Sequence, residues 1–207
     1  MDVAVLTEVP IIPVLRKMPY EKSASIIQAL VDGGIRSIEI TMESEGAELM
    51  IQEAKGNFGD QIIVGAGTVV TKEDCRRAID AGAQFVVSPI LDEEVVRYAA
   101  SQDVPMIPGV FTPSEMVKAT QCGAPMVKVF PASVLGPEFV KDVKGPLQDI
   151  PIMCTGGITR ETAKAYLDAG AVAVGAGGSL LKKDFISNGD YEGITKEARK
   201  WLSMISD

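Results

Sequence analysis

Ile152-Met153-Cys154-Thr155-Gly156-Gly157-Ile158-Thr159-Arg160-Glu161 reads as a buried strand, a paired-glycine turn and the start of a helix. The four residues Ile152–Thr155 are a short apolar run of strand length, and two glycines then end it. Thr159, ahead of Arg160-Glu161, supplies a capping hydroxyl and an acidic first turn. Further on, Ala169-Gly170 closes the helix with glycine at the position that favours a left-handed backbone, and Ala171–Gly175 opens the next apolar run. This is a strand–helix–strand unit of a parallel α/β fold.

The unit recurs in the N-terminal direction. Apolar runs at Ile11–Leu15, Ser37–Thr41, Ile62–Gly65, Phe85–Ser88, Pro105–Pro108 and Met126–Phe130 precede the two just described, at intervals of roughly 20 to 25 residues. Helix starts are marked at Thr71-Lys72-Glu73-Asp74, Asp92-Glu93-Glu94 and Thr112-Pro113-Ser114-Glu115, and helix ends at Asp32-Gly33-Gly34, Ala81-Gly82 and Cys122-Gly123. About eight such units predict a closed (β/α)8 TIM barrel. The runner-up is an open doubly wound sheet, which would show G-x-G-x-x-G after its first strand; Arg16-Lys17-Met18-Pro19-Tyr20 stands there instead. No linker or composition break divides the chain, so residues 1–207 read as one barrel domain.

Composition narrows the function. Lys plus Arg number 20 against 28 Asp plus Glu, and a net charge of −8 argues against nucleic-acid or anionic-membrane partners. The apolar runs are too short to span a bilayer and Met1-Asp2-Val3-Ala4 lacks the basic start of a signal peptide, so a soluble cytoplasmic protein is expected. Cys75, Cys122 and Cys154 form no C-x-x-C pair, fit a reducing compartment and read as packing residues. With no histidine in 207 residues, Ser-His-Asp and Cys-His nucleophiles and His-ligated metal centres are excluded. No metal is expected. Proton transfer falls to carboxylates, Lys, Tyr or water.

Against that background Lys128, within Met126-Val127-Lys128-Val129-Phe130-Pro131, stands out. An ammonium in an apolar strand must reach solvent, as on an edge strand, or give up its charge and become a nucleophile able to form a Schiff base with a ketone. Pro131 and Ala132 put Lys128 near the strand's C-terminal end, where α/β barrels carry their chemistry. In Ser37-Ile38-Glu39-Ile40-Thr41 the period of two places Glu39 and Thr41 on one face. Glu39 is either a carboxylate ion-paired to Arg36 or Arg16, or the general acid/base of a Schiff-base reaction. Thr155-Gly156-Gly157 and Gly175-Ala176-Gly177-Gly178-Ser179 end the last two strands, as tight turns or as a phosphate site of backbone amides. Gly65-Ala66-Gly67-Thr68 lines a pocket or only packs a turn, and Arg16 clamps an anion or makes a surface ion pair.

These motifs, with Ile107-Pro108-Gly109-Val110-Phe111-Thr112-Pro113, occur in order over nearly the whole chain and resemble those of the bacterial KHG/KDPG aldolases. The resemblance implies a class I aldolase, usually homotrimeric and free of cofactors. Its substrates would be 2-keto acids: 2-keto-3-deoxy-6-phosphogluconate, cleaved to pyruvate and glyceraldehyde 3-phosphate, or 4-hydroxy-2-oxoglutarate, cleaved to pyruvate and glyoxylate. It assigns Lys128 as the Schiff-base lysine and Glu39 as the proton-transfer carboxylate. Arg16, Thr68, Thr155 and Phe130 become substrate-binding residues, with Thr155 influencing stereochemistry, and Gly156, Gly157, Gly178 and Ser179 the phosphate segment.

Two departures from the family pattern bear on the site. Glu43 stands where the family carries an arginine for the pyruvyl carboxylate, and a turn outward into solvent, near a helix starting around Ser44, is the favoured reading for it. The segment before the first strand is short, leaving little room for an element that plugs the barrel bottom. Three rival functions are an aldolase for a related sugar acid such as the 6-phosphogalactonate, a phosphate-binding isomerase barrel, and a non-catalytic phosphate-ligand sensor.

Overall fold

The computed structural model describes residues 3–205. Its strands are β1 (Ile11–Leu15), β2 (Ser37–Thr41), β3 (Ile63–Gly67), β4 (Phe85–Val87), β5 (Met106–Ile107), β6 (Gly109–Val110), β7 (Val127–Val129), β8 (Ile152–Thr155) and β9 (Ala173–Ala176). Every pairing is parallel, in the order β5-β4-β3-β2-β1-β9-β8-β7-β6. The two ends of that order, β5 and β6, are halves of one segment interrupted at Pro108. Its first half pairs with β4 and its second with β7, so the sheet closes on itself as a (β/α)8 barrel. The proline has no N–H to give, yet its carbonyl accepts from the Lys128 N–H at 2.8 Å. The fifth run therefore continues past its predicted end at Pro108 to Val110, and the third reaches Gly67 instead of stopping at Gly65.

The helices α1 (Tyr20–Asp32), α2 (Ala47–Phe58), α3 (Lys72–Asp80), α4 (Glu93–Ser101), α5 (Pro113–Gln121), α6 (Ala132–Lys144), α7 (Arg160–Asp168), α8 (Lys183–Asn188) and α9 (Tyr191–Ile205) follow the strands. The starts of α3, α4, α5 and α7 lie where the sequence marked them. Thr71 and Asp92 accept hydrogen bonds from first-turn amides of α3 and α4, and Thr112 with Glu115 forms a reciprocal capping box on α5. At the end of α7, Gly170 turns back toward the sheet with φ +107°, a conformation a side chain would strain.

Two apolar layers result from the strand alternation. Outward residues such as Ile38, Ile40, Val127, Val129 and Cys154 pack against the helices, whereas Ile12, Phe85, Val87, Ile107, Met126 and Met153 fill the barrel. Leu6, on a single 3-10 turn (Val3–Thr7), is fully buried in that interior cluster. The short leading segment thus does plug the barrel bottom, contrary to expectation; one leucine suffices because the barrel's own side chains fill the rest. Cys75, Cys122 and Cys154 are buried and unpaired, and burial pushes the Cys154 thiol up to about 12. No helix among the described residues is long and apolar enough to cross a membrane.

Candidate active site

Lys128 shares its strand face with Met126, an interior residue, while Val127 and Val129 face the helices. It therefore points into the barrel, where it is 5% exposed and its Nζ lies 4.9 Å from the centre of the Phe130 ring. An edge-strand lysine in water is ruled out. Glu39 alternates with Ile38 and Ile40 in the same way and is 1% exposed. Burial raises its pKa from the ordinary 4.5, and the nearby positive charges of Lys128 and Arg16 pull the other way. Its Oε2 is buried with no protein hydrogen-bond partner, so a surface ion pair with Arg36 is excluded as well.

The small residues of β3 make room for this pair. A Cβ at Gly67 would come within 1.9 Å of Glu39 Oε1, and one at Gly65 within 2.3 Å of the Phe85 ring. Gly65 and Gly67 are thus strand residues that admit side chains from β2 and β4, and do not simply form a turn. The signal was in the sequence, but its reason is non-local. Thr68 follows with φ +55°, a left-handed conformation that costs a β-branched residue on the order of 1–3 kcal/mol. It stands half-buried at the β3 end, next to the glycine that touches Glu39.

Beside the pair opens a cavity of about 330 Å³, and its wall includes Arg16, Phe130, Thr155, Gly156, Gly157, Gly178 and Ser179. Seven of the residues read from the sequence are thereby brought together. Gly156 and Gly157 both have positive φ, +94° and +72°, and a Cβ on Gly157 would strike Ser133 Oγ at 2.3 Å. Gly177 starts a helical turn, its carbonyl accepting from the Leu180 and Leu181 N–H groups, and the amides of Gly178 and Ser179 stand at its open start. Ser179 also donates its hydroxyl to the Ile158 carbonyl at 2.7 Å, tying the two glycine-rich ends together. The Thr155 hydroxyl is buried in the wall without a protein partner.

Sequence reasoning missed one support of these ends. Glu197 of α9, 5% exposed, meets Arg160 Nη1 at 3.4 Å and Lys182 Nζ at 3.1 Å. It anchors the connections that follow β8 and β9, and no local spacing announces it. Glu43 also departs from its expected place. Strand β2 ends at Thr41, the Ser44 N–H turns back to the Thr41 carbonyl, and α2 starts only at Ala47. The Glu43 carboxylate accepts from Arg16 Nε at 2.6 Å and its side chain is 26% exposed, so it is paired at the rim instead of solvated.

The chain is an aldolase, a carbon–carbon lyase: residues 3–197, which hold the buried Lys128 and Glu39 and the glycine-lined cavity, match the family model described as KDPG and KHG aldolase. The KHG/KDPG aldolase of Escherichia coli K12 is 34% identical over 198 residues, covering 95% of this chain and 92% of that one. The chain belongs to the KDPG and KHG aldolase family. The 2-dehydro-3-deoxy-6-phosphogalactonate aldolase of the same organism is 32% identical over 177 residues, 85% of this chain and 86% of that one. Among solved structures, the KDPG aldolase from Legionella pneumophila, with pyruvate captured at low pH as a covalent carbinolamine intermediate, superposes with a TM-score of 0.90. Its identity is 29%, over 96% of this chain and 97% of that chain.

Proposed function

We propose that the protein is a class I aldolase cleaving 2-keto-3-deoxy-6-phosphogluconate to pyruvate and glyceraldehyde 3-phosphate, 4-hydroxy-2-oxoglutarate to pyruvate and glyoxylate, or both. The observation that carries this reading is Lys128 buried in the barrel within electrostatic reach of Glu39, whose Oε2 has no protein partner. The Lys128 amine adds to the C2 ketone, and Glu39 passes a proton to the carbinolamine hydroxyl, which leaves as water. The C3–C4 electrons then flow into the imine while Glu39 takes the C4 hydroxyl proton, releasing the aldehyde. Protonation at C3 and hydrolysis of the imine return pyruvate and free lysine. No step calls for a metal or an organic cofactor.

The 330 Å³ cavity suits the far end of the substrate, its oxyanion meeting the Gly156, Gly157, Gly178 and Ser179 backbone and Arg16, with Thr68 toward the keto-acid carboxylate. The 6-phosphogalactonate epimer is a second reading, favoured by the relative that acts under that name. The two sugar acids differ in one hydroxyl direction, and the unpartnered Thr155 hydroxyl is the group to sense it. Lactate dehydrogenase coupling measures pyruvate release from all three acids with chelator present. Release from at least one is expected; none from any would overturn this reading.

A homotrimer in the cytoplasm completes the proposal. Ile90 and Phe111, on the connections after β4 and β6, and Val134, in the first turn of α6, are exposed, and a neighbouring copy of this chain would cover them. Sedimentation velocity at micromolar concentration should give the trimer mass. A monomer throughout that range would refute it. The three unpaired cysteines accord with a reducing compartment.

A further inference from the structure

We propose that Glu43 is a positioning residue: it holds the Arg16 guanidinium over the glycine-lined cavity, so that Arg16 seats the distal anion of the substrate. The inference rests on the aldolase reading above and names how that site grips its ligand. Arg16 is the one charged side chain in the cavity wall among the described residues, yet it is 64% exposed. An arginine so exposed samples many rotamers and loses that freedom on binding, which weakens its hold on a ligand. Glu43 removes much of the cost beforehand. Its carboxylate engages Arg16 through Nε at 2.6 Å, leaving the four Nη hydrogens for an incoming oxyanion.

The pair is built on a braced backbone, unlike a chance meeting of two long surface chains. The Lys17 N–H donates to Ser44 Oγ at 3.0 Å, and Ser44 Oγ lies 3.1 Å from Thr41 Oγ1. Thus the residue after Arg16 is tied to the residue after Glu43. On the other side, the Met42 N–H donates to the Gly67 carbonyl at 2.8 Å, fixing the turn to the strand that shelters Glu39. Ser44 is 6% exposed, so this bracing lies below the surface. By contrast the pair Lys72–Glu94 joins two side chains more than half exposed, with no such support.

Two effects of Glu43 on an anionic substrate oppose each other. Its charge repels the anion, while its hold on Arg16 improves the seat. Variants separate them, since Glu43→Gln keeps an acceptor for Nε and drops the charge, whereas Glu43→Ala loses both. Positioning predicts that Glu43→Ala raises KM for 2-keto-3-deoxy-6-phosphogluconate about tenfold, a charge-assisted hydrogen bond discounted for its exposure. Glu43→Gln should recover most of that loss. Calorimetry with inorganic phosphate should show the same pattern in dissociation constant, and it needs no turnover, so a failure of the aldolase reading would leave this arm intact. In an Arg16→Ala background, Glu43→Ala should add nothing. A lower KM or unchanged phosphate binding in Glu43→Ala would overturn the proposal, as would a full effect without Arg16.

Discussion

Incubation with pyruvate and borohydride should add one reduced pyruvyl group to the peptide that carries Lys128, and Lys128→Met should abolish both the label and pyruvate release. Selectivity follows from placement. Surface lysines such as Lys164 and Lys196 sit in exposed ion pairs with Asp168 and Glu192, whereas Lys128 is 5% exposed, within electrostatic reach of Glu39. Losing the nucleophile of a covalent route removes the intermediate itself, so the rate should fall by about 10⁴-fold or more. Methionine is the informative replacement because Met126 and Met153 already share the interior, and a thioether of similar length leaves the barrel filled. The variant should melt no earlier than the parent. Labelling at another lysine, or pyruvate release surviving in Lys128→Met, would sink the assignment.

What the sequence made legible was whatever is local and periodic. Strand runs, capping threonines and the glycines after several helices obey rules written within a few residues, and Thr71, Asp92, Thr112 and Gly170 act in the structure as they read. The alternation in Ser37–Thr41 likewise put Glu39 and Thr41 on one face, but which face points inward is set by the barrel around it. Closure is another matter. That Pro108 splits one strand whose halves meet β4 and β7 depends on partners far along the chain.

The same division holds at the site. Lys128 drew attention because an amine amid apolar residues is a local conflict. Gly67 stood out without its reason and Glu197 did not stand out at all, since the first is small for the sake of Glu39 and the second is acidic for the sake of Arg160 and Lys182. Glu43 shows the limit most clearly. Strand period and helix-end preference each gave it a place, but the turn at Met42–Ser44 and the neighbouring Arg16 decided its partner.

Glu39→Gln should lower kcat by about 10²- to 10⁴-fold, the usual contribution of a positioned acid or base, while making the fold more stable at neutral pH. The two effects have one origin. Burial raises the pKa of Glu39 above 4.5, with Lys128 and Arg16 only partly offsetting it, so its ionised form is disfavoured in the folded state relative to the unfolded one. For a group raised in this direction the native state binds more protons than the unfolded state between the unfolded and folded pKa values. Stability therefore declines as pH rises through that window, and the full penalty persists above it. Glutamine removes the penalty and, with it, that slope. Activity depends on the same proton, because Glu39 gives one to the carbinolamine hydroxyl and then takes one from the C4 hydroxyl, so the kcat profile should carry a limb above the ordinary carboxylate range that vanishes in the variant. Thermal melts across pH, paired with kcat profiles for both proteins, read these signs together. A variant that keeps the parent's kcat would remove Glu39 from proton transfer, and one that loses stability at neutral pH would show that its carboxylate serves the fold instead of the reaction.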